Sequence, residues 1–268
     1  MPTLITQESQ NTETILLQQQ MDALRLCVVV PTYNHRKTLP DVLNDILQYT
    51  TSVIVVNDGS TDGTSEILNN FVAFIDVVSY TPNRGKGFAL KTGFNRAEAL
   101  GYKGAITIDS DGQHIALEIE RFVVYAMRHP DALLLGQRTI QGDMPGKNSF
   151  ANQFSNFWFT VQTAYRFRDT QNGFRLYPLS VMKGLRPLST RYEAELEMLV
   201  RSAWKGIPVI PVPVHVYYPP QDVRISHFRP GKDFLRISVL NTLFTLLAII
   251  YGYPSMFIRR FLANRKKI

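Results

Sequence analysis

Short apolar runs alternate with longer amphipathic ones through the first half of the chain. Leu26–Val30 reads as a buried strand ended by Pro31, Leu39–Tyr49 has helical spacing, and Ser52–Val56 is the next strand. The same rhythm predicts a helix at Thr64–Phe74, a strand at Asp76–Tyr80 and a helix at Gly87–Leu100. It continues with a strand at Gly104–Ile108, a helix at Leu117–Met127 and a strand at Ala132–Leu135. Near-continuous Val/Ile runs, rather than alternating ones, mark strands buried on both faces. Strand–helix alternation implies right-handed βαβ units, hence an α/β, Rossmann-like fold: a mostly parallel central sheet flanked by helices.

The second half is less regular. Ser149–Tyr165 is aromatic-rich and predicts a helix, as does Arg191–Trp204; Pro208–Tyr218 alternates apolar residues with prolines, which suits an edge strand. Ile237–Ile258 then runs 22 residues without a charge. A continuous helix of that length reaches roughly across a ~30 Å hydrocarbon core. Gly252-Tyr253-Pro254 is expected to interrupt it, leaving a shorter apolar helix and a basic one, Ser255–Lys267. A span would also carry five basic residues to the far side, against the positive-inside tendency. An in-plane or re-entrant anchor with snorkelling Arg and Lys fits better than a span or a buried, homo-oligomer-forming helix.

Composition sharpens this picture. With 268 residues, 45% apolar and 19% charged, the chain can bury a sizeable core, which excludes disorder and fibrous repeats. The formal net charge of +7 first suggests nucleic acid or an anionic membrane surface. Residues 1–228 hold 21 basic and 21 acidic side chains, whereas 229–268 hold eight basic residues and one acid, Asp233. The cationic excess belongs to the tail, which favours an anionic membrane surface and removes the main support for nucleic acid. The single cysteine, Cys27, lies in an apolar run and reads as a small buried hydrophobe. It allows no intrachain disulfide, and the polar N-terminus lacks a signal-peptide pattern, so a cytosol-facing location is expected.

Ligands of open parallel sheets bind beyond the carboxyl ends of the strands. Four predicted strand ends carry polar clusters there: Pro31-Thr32-Tyr33-Asn34, Asn57-Asp58-Gly59-Ser60-Thr61-Asp62-Gly63-Thr64, Asn83-Arg84-Gly85-Lys86-Gly87 and Asp109-Ser110-Asp111-Gly112-Gln113-His114. Each alone could be turn chemistry, but all four at one sheet edge point to a site. Asp109 and Asp111, two residues apart where a strand gives way to a turn, can converge on one hard divalent cation, Mn²⁺ or Mg²⁺. Gln113 and His114 are further candidates for its shell. The Gly-rich cluster, with Arg84 and Lys86, suits a pyrophosphate. It matches neither the Walker pattern nor G-x-G-x-x-G, which argues against an ATPase and an NAD enzyme. A nucleotidyltransferase would need a Gly-rich loop directly after the first strand, where Pro31-Thr32-Tyr33-Asn34 stands.

These four motifs, in this order, resemble those of family 2 glycosyltransferases with the GT-A fold. The Asp-x-Asp-x-Gln form and the later Asp169-Thr170-Gln171-Asn172-Gly173-Phe174-Arg175 are most similar to polyprenyl-phosphate (dolichol-phosphate) sugar synthases. The resemblance covers about Leu26–Arg229 and, taken with the composition of the two ends, divides the chain into a polar N-terminal extension at 1–24, a GT-A domain at 25–230 and a membrane-associating helical tail at 231–268. It implies a hexosyltransferase that inverts the sugar's anomeric configuration, moving it from an NDP-sugar (UDP or GDP) to a lipid-linked acceptor at the cytoplasmic face of the membrane. Thr32, Tyr33 and Asp58 would hold the nucleoside, with Pro31 and Asn34 also in the donor site, Arg84 and Lys86 would lie by its phosphates, and Asp109, Asp111 and Gln113 would bind metal–diphosphate, Asp111 being catalytic as well. Arg224-Ile225-Ser226-His227-Phe228-Arg229 resembles the basic loop that closes over donor phosphates, with Arg138 and Arg175 contributing to the same anionic pocket. A lipid phosphate acceptor needs no strong base; a hydroxyl acceptor needs a carboxylate, for which Asp169 is the first candidate and Glu193 or Glu195 the next. The sequence departs from the pattern at His35, where an acid often stands, and at Asn172, where Ser is common, so the acceptor stays open between a lipid phosphate and a soluble, glycan or other hydroxyl. A catalytically inactive nucleotide- or lipid-binding module is the non-enzyme alternative, against which the intact Asp109/Asp111 pair weighs.

Overall fold

The computed structural model describes residues 7–138, 146–217 and 230–265. A first helix, α1 (Gln7–Leu24), precedes β1 (Leu26–Thr32), α2 (Leu39–Leu47), β2 (Val53–Asp58), α3 (Thr64–Asn69), β3 (Asp76–Tyr80) and α4 (Lys86–Ala99). Then come β4 (Gly104–Thr107), α5 (Ile119–Arg128), β5 (Leu133–Arg138), α6 (Gly146–Thr163), β6 (Arg175–Tyr177), α7 (Glu193–Lys205), β7 (Val209–Val214), α8 (Pro230–Leu247) and α9 (Tyr253–Arg265). The strands form one seven-stranded sheet in the order β3-β2-β1-β4-β6-β5-β7. All pairings are parallel except those of β6, which runs antiparallel to both β4 and β5. The α/β, mostly parallel, GT-A-like architecture read from the sequence is the one observed, and Pro-rich β7 takes an outer edge.

Every residue of β1, β2 and β4 is buried. Strand side chains alternate between faces, so Leu26, Val28 and Val30 join one core with residues of α1, α2 and α5, including Met21, Leu43 and Phe122. Cys27 and Val29 join the other, with Phe94 of α4, Phe159 of α6 and Trp204 of α7. Burial pushes the Cys27 thiol's pKa up.

Three sequence expectations change. β1 does not stop at Pro31. The Val28 amide bonds to Ser52 C=O on the β2 side, so position 31 faces the β4 side, where pairing ends at Val29 with Thr107. The missing amide of Pro31 therefore removes no ladder bond. The polar N-terminal segment contains α1, which covers the sheet with Leu17 and Met21, while Gln18 Oε1 accepts from Thr50 Oγ1 and Thr51 N–H. Finally, Gly252-Tyr253-Pro254 does not break the tail. A π-helical turn, Ala248–Gly252, joins α8 to α9, and the Tyr253 amide reaches Ala248 C=O. Such a turn widens the helix just ahead of Pro254, whose ring and absent amide would otherwise disrupt the ladder.

The glycine in that turn serves packing. A Cβ at Gly252 would lie 2.5 Å from Trp204 Nε1, so only glycine lets the tail approach this indole. Trp204 also packs edge-on against Phe244 and Tyr251, its Nε1 donates to Gln162 C=O, and Ser255 Oγ donates to Trp204 C=O. Gly252→Ala is expected to cost ~1–3 kcal/mol through overpacking, whereas Ile250→Ala, at a position 75% exposed, stays within ~0.5 kcal/mol. Chemical denaturation of the two variants checks the contrast.

Candidate active site

The carboxyl ends of β1, β2 and β4 open on one cavity of about 520 Å³. Its walls include Pro31, Thr32, Tyr33 and Asn34 from the end of β1, Asp58 from β2, Lys86 from α4, and Asp109, Asp111 and Gln113 beyond β4. The structure thus brings nine of the sequence-predicted residues together. His35, Asn83, Ser110, Arg191 and Tyr192 also line it. Arg191 and Tyr192 were not singled out because they precede helix α7 rather than follow a strand. An Arg-Tyr pair immediately before a helix is the only local signal they carry.

Asp58 shapes the rim. Its Oδ1 accepts the Arg84 amide at 2.7 Å, and its Oδ2 accepts the Gly85 amide and Asn83 Nδ2, both at 2.8 Å. These amides are therefore committed to Asp58, unlike the open phosphate cradle that the Gly-rich sequence suggested. Gly85 has a left-handed φ of +97°, and a Cβ there would lie 2.5 Å from Thr190 C=O. The glycine thus lets this loop sit against the segment leading into α7. Arg84 turns outward, its guanidinium 4.7 Å from the centre of the Phe88 ring. Thr32 lines the cavity, and its Oγ1 is buried without a hydrogen-bond partner.

Beyond β4, the Gln113 amide donates to Asp111 Oδ1 (3.0 Å) and Gln113 Nε2 to Asp111 Oδ2 (2.8 Å), folding the turn back on itself. His114 Nδ1 accepts the Asp109 amide (3.1 Å), which assigns the ring proton to Nε2, 3.1 Å from Asn172 Oδ1. His114 therefore ties the Asp109 loop to the segment before β6. Antiparallel β6 starts at the edge where the parallel strands end, and this places 169–173 beside the cavity. Gly173 adjoins Asp109: a Cβ there would be 2.6 Å from Asp109 Oδ2.

Lys86 Nζ lies 2.7 Å from Asp109 Oδ1 and 3.0 Å from Glu195 Oε2. Burial pushes the ammonium's pKa down, but the two carboxylates outweigh it and hold it above its ordinary value. Burial would raise the Asp109 pKa, and Lys86 reverses that and keeps the carboxyl ionised. Two carboxylates share this one ammonium, and Glu195 Oε1 is buried without a partner. A hard divalent cation fits such a set: the carboxylates of Asp109 and Asp111 and the Gln113 amide oxygen are its preferred donors. Among the described residues no three His, Cys, Asp or Glu side chains form a self-sufficient cage, so a cation here would draw part of its shell from its ligand.

Other predicted residues stand apart from the cavity wall. Asp169 is 3% exposed and paired with Arg138, whose Nε and Nη2 lie 2.5 and 2.9 Å from its two oxygens. Arg175 is fully buried, donating to the carbonyls of Thr170, Asn172 and Glu195, so it braces the 170–172 turn. Glu193 borders a second groove described below. Arg224 and its neighbours through Arg229 lie outside the described residues.

Residues 27–183 match the profile of Glycosyl transferase family 2. The chain is 26% identical to a UDP-N-acetylglucosamine--dolichyl-phosphate N-acetylglucosaminyltransferase of Methanococcus voltae, over 71% of this chain and 85% of that one. It is also 26% identical to a polyprenol monophosphomannose synthase of Mycolicibacterium smegmatis, over 71% and 76%. Its fold is similar to that of glucosyl-3-phosphoglycerate synthase from Mycobacterium tuberculosis, crystallised with Mn²⁺, uridine diphosphate and glucosyl-3-phosphoglycerate. That match has a TM-score of 0.62 at 19% identity and covers 88% of this chain and 83% of that one. A profile match over more than half the chain, a range that includes the strand ends lining the cavity, makes this protein an enzyme of glycosyl transferase family 2.

Proposed function

We propose that the enzyme transfers a sugar from a UDP- or GDP-sugar, with Mn²⁺ or Mg²⁺, to a lipid-linked phosphate at the cytoplasmic face of a membrane. The observation that carries the acceptor is a second groove of about 490 Å³ between Leu188–Thr190, Glu193 and the α8 residues Leu235, Arg236, Val239, Leu240 and Leu243. Arg191 and Tyr192, which line the cavity, lie in the chain between Thr190 and Glu193 of the groove. An acceptor with an anionic head and an apolar chain suits a polar cavity and a largely apolar groove lined by the same segment. The relatives' dolichyl-phosphate and polyprenol activities support the same reading, and the Mn²⁺–UDP complex of the structural neighbour supports the donor.

In this reading Thr32, Tyr33 and Asp58 take the nucleoside. Asp109, Asp111 and Gln113 would hold the cation, which supplies Lewis-acid neutralisation of the departing nucleoside diphosphate. Lys86 and Arg191 add positive charge where the leaving group's charge develops. The acceptor oxygen attacks the anomeric carbon opposite the departing diphosphate; that C–O bond breaks with its electron pair leaving on the diphosphate, and the configuration inverts. A phosphate oxygen is already anionic, so no proton must be removed. The close Arg138–Asp169 pair agrees with this, because Asp169 would have to give up its guanidinium to serve as a base. We read Asp169 as the fixed partner of Arg138 rather than as a base.

The tail supports the membrane assignment. Among the described residues Leu235–Leu262 is the one helix long and apolar enough to cross a membrane by length and composition. One side of it, with Asn241, Phe244 and Ala248, is buried against the body. The other exposes Val239, Leu246, Ile249, Ile250 and Phe257. Contacts with the body recur from Gln162–Asn241 to Trp204–Ser255, about 20 Å of helix at ~1.5 Å per residue. A helix held along the body for that distance suits in-plane insertion of its free apolar side, with Arg259, Arg260 and Arg265 at the headgroups. The buried, free Cys27 agrees with a reducing compartment.

Asp111→Asn is expected to lower metal-dependent transfer ~10²–10³-fold with unchanged circular dichroism; full activity would remove Asp111 from the site. Leu246→Glu with Ile250→Glu, both on the free side, is expected to move the protein from the membrane pellet to the supernatant. In a donor screen with Mn²⁺, product is expected only with polyprenyl phosphate present. Transfer to soluble hydroxyl acceptors alone would overturn the lipid assignment.

A further inference from the structure

Lys86 occupies Asp109 much as a metal ion would. Its Nζ lies 2.7 Å from Oδ1 and 3.0 Å from Oδ2, so one ammonium touches both oxygens of a carboxylate that the metal reading needs. The lysine is closely confined. A Cβ on Gly173 would stand 3.0 Å from Nζ, so the backbone before β6 walls one side. Glu195, on α7, offers a second carboxylate at 3.0 Å with its other oxygen unpartnered. The lysine side chain is 16% exposed, so leaving its charge without a partner is unfavourable. Glu195 and an anion entering the cavity are the partners toward which it can release Asp109.

We infer that Lys86 is a resident counter-ion that keeps Asp109 from binding a metal alone and yields it when a nucleoside diphosphate arrives, with Glu195 as the residue that holds the lysine meanwhile. Two cations on one carboxylate repel, so a bare divalent ion must displace the lysine, whereas a diphosphate brings negative charge for both. Metal and nucleotide then load together, and the site does not fill with metal that lacks a substrate. Glu195 is a positioning residue here, acting through Lys86; it is not among the residues that line the cavity. This inference rests on the proposal that Asp109 and Asp111 bind a divalent cation.

The test is Mn²⁺ binding to the full chain in detergent, followed by electron paramagnetic resonance, with and without UDP or GDP. Lys86→Met is expected to tighten binding of Mn²⁺ alone by roughly tenfold, the lower end of the scale on which a neighbouring positive charge shifts a carboxylate's proton affinity. The nucleotide's enhancement of Mn²⁺ binding is expected to shrink in the same variant. Glu195→Gln is expected to act in the opposite direction, weakening Mn²⁺ alone severalfold because Lys86 then has only Asp109. Circular dichroism confirms that each variant is folded; should Lys86→Met not fold, Glu195→Gln decides. Unchanged or weaker Mn²⁺ binding in folded Lys86→Met, or unchanged binding in Glu195→Gln, overturns the inference while wild-type binding keeps the metal site. Wild-type protein that binds no Mn²⁺ under any condition overturns both.

Discussion

A sheet covered on both faces dictates where polar chemistry can stand. β1, β2 and β4 are buried along their whole length, with one core on each side. A charged side chain within those strands would be desolvated without a partner, at a cost of several kcal/mol. Polar groups are therefore displaced to the strand ends, and because these strands are parallel their carboxyl ends coincide. The cavity is a consequence of the packing, and the acids, amides and the lysine around it all depend on that shared edge.

Within the edge, charge balance organises the loops. Asp58 gathers three N–H donors from the Asn83–Gly85 turn, and His114 ties the Asp109 loop to Asn172. Lys86 joins Asp109 to Glu195, and Arg138 grips Asp169. Each contact spans elements far apart in sequence. These contacts hold the loops around the cavity in place, an arrangement suited to preorganised stabilisation of a developing negative charge.

The tail joins this catalytic body to its surroundings. Trp204 acts as a post: Gly252 seats on its indole, while Phe244, Tyr251 and Ser255 complete the contact. Fixing one side of the helix leaves the opposite apolar side outward. The positive charge that dominates the composition belongs to this helix and the residues around it, while the body is charge-balanced.

Much of this was legible in the residues. Val/Ile runs broken by Pro-Thr-Tyr-Asn, Asn-Asp-Gly and Asp-Ser-Asp reveal parallel strands and the polar ends that line the cavity, because burial on two faces and turn chemistry are both local signals. The tail's apolar length and basic flanks are equally local. Other features depend on contacts between distant segments. Three-residue β6 is too short for any periodicity, yet its reversed direction brings Gly173 against Asp109. Pro31 remains in β1 because β4 has already ended, and the helix passes Pro254 through a π turn beside Trp204. The sequence alone determined the fold class, the strand-end motifs and the charge of the tail. The tertiary structure decided which of those charges meet: Lys86 with Asp109 and Glu195, Arg138 with Asp169, and Arg175 with backbone carbonyls. Such pairings are set by the mutual placement of elements tens of residues apart, which no local pattern encodes.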